Sequence, residues 1–233
     1  MIKLYLMEAA PLHNKNIWEK AFVLADSDRK ERIARMRQDK SRVLCMAASL
    51  LLSYSVAEHI YMSREQLKDA AICLKEVKAQ DALAILSDSD PLKIEITPRG
   101  KPFLKEHRGL FYNLSHSGEY AICALSDKEV GVDIQKWRGI TQTGIADRIL
   151  HEKERETFSW DKEGSEEEFF RYWAAKEAYV KCSGEGLLKD FREILVDFPA
   201  GEVIDTKTND KRKLYMIDNQ SGYSIAACED FNK

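Results

Sequence analysis

At 233 residues and 26.8 kDa, with 44% hydrophobic and 32% charged residues, the chain suits one large globular domain or two small ones. A formal charge of −3 and a pI near 6.0 exclude a global basic field, so no nucleic-acid partner is expected and any polyanion must be held by a local basic cluster. The five cysteines (Cys45, Cys73, Cys123, Cys182, Cys228) contain no C-x-x-C pair and read as reduced, mostly buried thiols of a cytoplasmic protein.

The opening MIKLYLME does not read as a signal peptide, and residues 2–7 alternate like a strand. Residues 28–37 form a basic amphipathic segment, with Ile33 and Met36 one turn apart among Arg29, Lys30, Arg32, Arg35 and Arg37. Ser41 is placed to cap a following helix through Leu44, Ala48, Leu51, Leu52 and Val56. Its apolar run, 43–57, is interrupted by serines and too short for a bilayer, so a buried core helix is expected and no membrane partner. A further helical stretch is expected over about 64–86. Strands follow at 93–97, 109–113 and 120–126, the first two separated by a rigid TPRGKP turn.

A second series begins at Glu129. Val130, Val132 and Ile134 alternate with Gly131, Asp133 and Gln135, a strand with two polar side chains on one face. An amphipathic helix is expected over 145–156, then an acidic lead-in at 163–168, a long helix from 169, and strands near 193–197, 213–217 and 223–228. Both series run strand, short charged helix, long apolar helix, strands. SGEYAICALSD at 117–127 also resembles SGYSIAACED at 221–230. The expected fold is therefore α+β, two similar halves (1–126 and 127–233) related by approximate symmetry, with a ligand cleft at their seam. Chance likeness between two amphipathic strands is the competing explanation.

The stretch 169–188, FFRYWAAKEAYVKCSGEGLL, carries the first chemical oddity. Its apolar face holds Phe169, Phe170, Trp173, Ala174 and Val180, with Glu177 in the middle and Lys181 one turn on. A carboxylate centred on an apolar stripe is costly without compensation. An ordinary Glu–Lys pair on a solvated edge explains the segment about equally well. Gly184 and Gly186 are expected to end the helix. If Asp133 meets Glu177, two carboxylates, an amide oxygen from Gln135 and water would suit Mg²⁺, commonly shared with substrate phosphates.

FYNLSHSG at 111–118 invites a hydrolase reading through Ser115 and His116. The G-x-S-x-G elbow is absent, however, and neighbours on an extended segment point to opposite faces. An anion-binding element fits better. Arg32, Arg35 and Arg42, and the turn around Lys101, would ordinarily be solvated surface. Their number in a net acidic chain singles them out.

Together these residues resemble the 4'-phosphopantetheinyl transferases of the Sfp type. The blocks are GKP at 100–102 with NLSHS at 113–117, GVDI at 131–134, and WAAKEA at 173–178 with Lys181 and GEGL at 184–187. The resemblance implies a pseudo-twofold pseudo-dimer of two α+β halves. It implies transfer of 4'-phosphopantetheine from coenzyme A to a serine of an apo acyl or peptidyl carrier protein, with release of 3',5'-ADP. Asp133 and Glu177 would ligate Mg²⁺, with Mn²⁺ as a substitute, and Lys181 would contact the diphosphate and assist the leaving group. Lys101, Ser115 and His116 would hold the nucleotide, with Arg42 and Arg35 or Arg32 on its 3'-phosphate. The family usually has an acid where this chain has Gln135, which leaves the third metal ligand open. The implied protein is a cytoplasmic monomer; a non-catalytic carrier-protein or nucleotide-binding module of the same fold is the alternative.

Overall fold

The structure, a computed structural model, describes residues 2–61, 72–98, 100–139, 143–186, 189–218 and 220–231. The chain divides into two compact units, 1–127 and 128–233.

In the first unit, β1 (Ile2–Glu8) leads through a short 3-10 turn to α1 (Lys15–Leu24), α2 (Ser27–Arg35) and α3 (Asp39–Tyr61). Then come β2 (Ile72–Glu76), α4 (Ala79–Ile85), a small hairpin of β3 (Ile94–Ile96) and β4 (Pro102–Leu104), β5 (Phe111–Ser117) and β6 (Tyr120–Ser126). The main sheet has the order β2-β1-β6-β5, parallel only between β1 and β2. Helix α3 packs on it through β6, β1 and β5, and α1, α2 and α4 cover the helix from other sides. This explains why α3 is apolar all round. It has the length and composition of a membrane span, yet 72% of its most apolar window is buried in the protein. Asn14 and Asp26 cap α1 and α2, the Asp26 carboxylate accepting from Arg29 N at 2.8 Å.

In the second unit, β7 (Val130–Lys136) is followed by α5 (Thr143–Ile149), α6 (Glu152–Arg155) and α7 (Ser165–Ser183). Strands β8 (Ile194–Asp197), β9 (Glu202–Asp205), β10 (Lys211–Ile217) and β11 (Tyr223–Asp230) complete an antiparallel sheet of order β7-β11-β10-β9-β8. Helix α7 lies on β7 and β11. The unit thus repeats a scheme of the first: β1-β6-β5 and β7-β11-β10 have the same order, with the long helix entered after the first strand. The two similar sequence segments end in the equivalent strands β6 and β11.

Several expected elements are corrected. The helix expected over 64–86 falls partly outside the described residues, and the rest is β2 followed by the short α4. β2 earns its strand state by parallel pairing with β1, a long-range contact that overrides local periodicity. Ser41 lies inside α3 rather than at its cap, since the helix begins at Asp39. The helix expected over 145–156 is two, because His151 leaves the helical region (ψ 155°) and forms a capping box with Glu154. The 109–113 strand runs instead from Phe111 to Ser117, and β4 and β9 were not foreseen. The acidic lead-in is the first turn of α7, where Glu166, Glu167 and Glu168 complement the helix dipole.

Two contacts fix α7. The first is steric. A Cβ on Gly131 would lie 2.0 Å from Ala178 O and 2.5 Å from Cys182 N, so β7 and α7 touch backbone to backbone. Opposite, Ser224, Ala226 and Cys228 of β11 pair with Gln135, Asp133 and Gly131, and this row of small residues makes room for the helix. The second is electrostatic. Lys176, fully buried, donates to Glu154 Oε2 at 2.6 Å and to the carbonyls of Ile149 (2.8 Å) and Phe191 (3.2 Å). Glu154 also accepts from His151 N and Val196 N, both at 2.8 Å. Burial pushes the Lys176 ammonium down to about 8, against the pull of Glu154.

Gly131→Ala is expected to destabilise the protein by about 3 kcal/mol, as overpacking that only a backbone shift can relieve; urea unfolding measures it, and a loss under ~0.5 kcal/mol would disprove the close approach. Lys176→Met should cost about 3–5 kcal/mol by stranding Glu154. Adding Glu154→Gln to that variant should recover part of the loss, and a double-mutant cycle by the same unfolding experiment reads the difference.

Candidate active site

The second unit brings Asp133, Gln135, Glu177 and Lys181 together. Strand alternation turns Asp133 and Gln135 to one face, and Gln135 Nε2 donates to Asp133 Oδ2 at 2.8 Å. On α7, Trp173, Glu177 and Lys181 stand in a row at successive turns. The backbone contact at Gly131 falls on Ala178 and Cys182, each next to a functional side chain. Lys181 reaches β7, where Nζ donates to Asp133 Oδ1 at 2.6 Å and to Val132 O at 3.2 Å.

Glu177 is half-buried beside this pair. Burial raises its pKa above the ordinary carboxylate range and the Asp133 charge raises it further, while the Lys181 ammonium and the Trp173 indole pull it back. The Trp173 N–H is buried and makes no hydrogen bond of good geometry, although it lies near enough to Glu177 to favour the anion. Two carboxylates that repel across a partly dry site are the electrostatic setting a divalent cation fits. Among the described residues no third Asp, Glu, His or Cys joins them. The donor set is thus two carboxylates, with water and the Gln135 amide oxygen to complete it, a combination for a hard cation such as Mg²⁺. A carboxylate only accepts, so Gln135 must turn its N–H rather than its oxygen toward Asp133.

The residues expected on the nucleotide side all belong to the first unit. Ser115 and His116 are neighbours on β5, the serine buried and the histidine exposed, so they do not form a Ser–His pair through each other. Lys101 follows a turn in which Thr97 N donates to Lys101 O at 2.9 Å and Lys101 N to Thr97 Oγ1 at 3.0 Å. Arg99 of that turn lies outside the described residues, as do Leu187 and Leu188 of the glycine segment. Arg42, in the first turns of α3, sits over the Trp18 ring at 5.6 Å with its Nε buried and unsatisfied. Arg35 ends α2 in an exposed ion pair with Glu31 at 2.8 Å. Arg32 lies in the last turn of the same helix.

Sequence reasoning did not assign a role to Gly131, whose closeness to α7 sets the whole arrangement. The only signal was its position in the strand face shared with Asp133, where a glycine marks a close approach of backbone. It also did not pair Lys176 with Glu154, 22 residues away in sequence. Gly184 does end α7, in the left-handed region (φ 73°) with its N–H on Val180 O at 3.0 Å.

Residues 129–228 match the family described as the 4'-phosphopantetheinyl transferase superfamily. The chain is 36% identical over 104 residues to the 4'-phosphopantetheinyl transferase HetI of Nostoc sp., covering 42% of this chain and 44% of that one. It is 29% identical over 136 residues to the transferase gsp of Aneurinibacillus migulanus (57% and 56% covered). To the transferase Sfp of Bacillus subtilis it is 27% identical over 147 residues (60% and 64% covered). The chain thus spans about half to two thirds of the length of these curated relatives. The matched residues 129–228 include the strand and helix that hold Asp133, Gln135, Glu177 and Lys181, and the chain is similar to Sfp-type 4'-phosphopantetheinyl transferases.

Proposed function

We propose that the protein transfers 4'-phosphopantetheine from coenzyme A to a serine of an apo acyl or peptidyl carrier protein. The observation that carries this reading is the cluster of Asp133, Glu177 and Lys181, in which two carboxylates and one ammonium converge on the strand and helix matched to the family. Three proteins named 4'-phosphopantetheinyl transferases are similar to this chain over 104–147 residues. The relatives named as transferases favour this reading over a non-catalytic module.

Asp133 and Glu177 would hold Mg²⁺, or Mn²⁺ in its place, with Gln135 steadying Asp133. The cation, when bound, would neutralise diphosphate oxygens of coenzyme A and lower their repulsion toward the incoming serine. The serine oxygen forms a bond to the β-phosphorus as the bond to the departing 3',5'-ADP breaks, a transfer that depends on positioning and charge neutralisation. Glu177 takes the serine proton, directly or through one water, and its partly buried carboxylate suits that task better than a solvated one. Lys181 supplies positive charge to the departing phosphate. Arg42, with Arg35 or Arg32, would meet the 3'-phosphate, and Lys101, Ser115 and His116 the rest of the nucleotide. The unsatisfied Arg42 Nε supports an anion there, since a buried guanidinium donor without an acceptor is costly. The free cysteines fit a reducing, cytoplasmic setting.

Incubation with coenzyme A, Mg²⁺ and an apo carrier should raise the carrier's mass by one phosphopantetheine arm, and binding without that gain would mean a module. Glu177→Gln should lower turnover by roughly 10³-fold with coenzyme A affinity only modestly changed. Near-normal turnover removes Glu177 from both metal and base duty. Arg42→Ala should raise the KM for coenzyme A by ~10-fold or more but leave that for dephospho-coenzyme A nearly unchanged. Equal increases for both substrates would show that Arg42 does not read the 3'-phosphate.

A further inference from the structure

The Asp133 carboxylate is almost wholly buried, and both of its oxygens are taken. Lys181 Nζ is 2.6 Å from Oδ1, and Gln135 Nε2 is 2.8 Å from Oδ2. The Asp133 side chain is 3% exposed while that of Lys181 is 26% exposed. The carboxylate is therefore the fixed partner, anchored in β7, and the ammonium the one with a way out. Val132 O, at 3.2 Å from Nζ, holds the lysine against the strand edge.

A divalent cation on Asp133 must share a carboxylate whose two oxygens already accept from these donors. The amide of Gln135 is neutral and can stay on Oδ2. The ammonium cannot stay on Oδ1 beside a dication, because like charges at such separation repel strongly wherever water screening is poor. It leaves with its charge uncompensated unless an anion is at hand, and a diphosphate is such an anion. Cation and diphosphate then help each other to bind, since each removes a cost that the other alone would meet.

We propose that Lys181 is the resident counter-ion of Asp133 in the metal-free protein, displaced by the incoming divalent cation and received by the diphosphate that arrives with it. This rests on the reading of Asp133 and Glu177 as metal ligands. It adds that one lysine has two successive partners, so that Asp133 keeps a counter-charge without metal and the site resists metal alone. Glu177, Gln135 and Trp173 also face the exchange, and none of these three is a cation.

The test measures Mn²⁺ binding by calorimetry or electron paramagnetic resonance, without coenzyme A, on wild type, Lys181→Met and Lys181→Gln, with Asp133→Asn as the variant lacking the ligand. Both lysine variants should bind Mn²⁺ about tenfold more tightly than wild type, within the usual range of coupling between sites, and Asp133→Asn should lose the site. Equal or weaker binding in the lysine variants overturns the proposal. A second measurement needs no substitution: brief acetic anhydride treatment of wild type, with the Lys181 peptide followed by mass spectrometry. Mg²⁺ should increase acetylation of Lys181 several-fold as the amine leaves its carboxylate, and unchanged labelling also overturns the proposal. The carrier mass assay separates the two readings. A wild type that modifies the carrier, with lysine variants no tighter for Mn²⁺, defeats the counter-ion proposal alone. Tighter variants with no carrier modification defeat the transferase reading and leave the ion exchange standing.

Discussion

The arrangement in the second unit depends on one contact without side chains: Gly131 of β7 against the backbone of α7 at Ala178 and Cys182. Helices usually stand off a sheet by the thickness of the side chains between them. Here a glycine on one strand and Ser224, Ala226 and Cys228 on the next remove most of that thickness. The result is that a lysine on α7 can reach a main-chain carbonyl of β7 as well as its aspartate. Steric smallness at one position is thus converted into electrostatic precision at another, two residues along the strand.

The same helix carries two lysines, and they illustrate opposite uses of a buried charge. Lys176 and Lys181 are separated by about 140° around the helix, so they face different surroundings. Lys176 is fully buried with a carboxylate and two carbonyls as acceptors, and its partner Glu154 takes two backbone N–H groups besides. Such a network leaves little for a ligand to do; it ties α7 to the segments around Ile149, His151, Phe191 and Val196 and so fixes the helix's rotation. Rotation matters because Glu177 is the next residue. With Lys176 held on one side, Glu177 is carried toward β7, where burial and Asp133 raise its pKa. The structural pair aims the chemical one.

How much of this was legible in the sequence follows from the range of the forces involved. Alternation along β7 and turn spacing along α7 are local, and they gave the facing directions of Asp133, Gln135, Glu177 and Lys181 correctly. The end of α7 at Gly184 was equally local. The helix expected over 64–86 went wrong where β2 pairs with β1, some seventy positions away in the chain. The split at His151 depends on a capping box whose Glu154 is also claimed by Lys176 and by Val196 N, partners far along the chain. Gly131 was visible as a residue but its meaning was not, because the atoms that forbid a Cβ there belong to residues 178 and 182. Local periodicity names which residues share a face; only packing shows how close two faces come.

Gln135 shows what a neutral donor does for a buried carboxylate. An acid there would bring a third negative charge beside Asp133 and Glu177. It would also remove the N–H that now engages Asp133 Oδ2, leaving two carboxylates side by side on the same strand face. Burial makes each of these costs larger than on the surface. Glutamine instead stabilises the aspartate as a donor and leaves one ammonium to face two carboxylates. The Asp133 carboxylate is thereby almost wholly covered yet hydrogen-bonded at both oxygens. On the proposed reading, a neutral amide would lower the site's intrinsic attraction for a cation, and an anion that engages Lys181 would restore part of it.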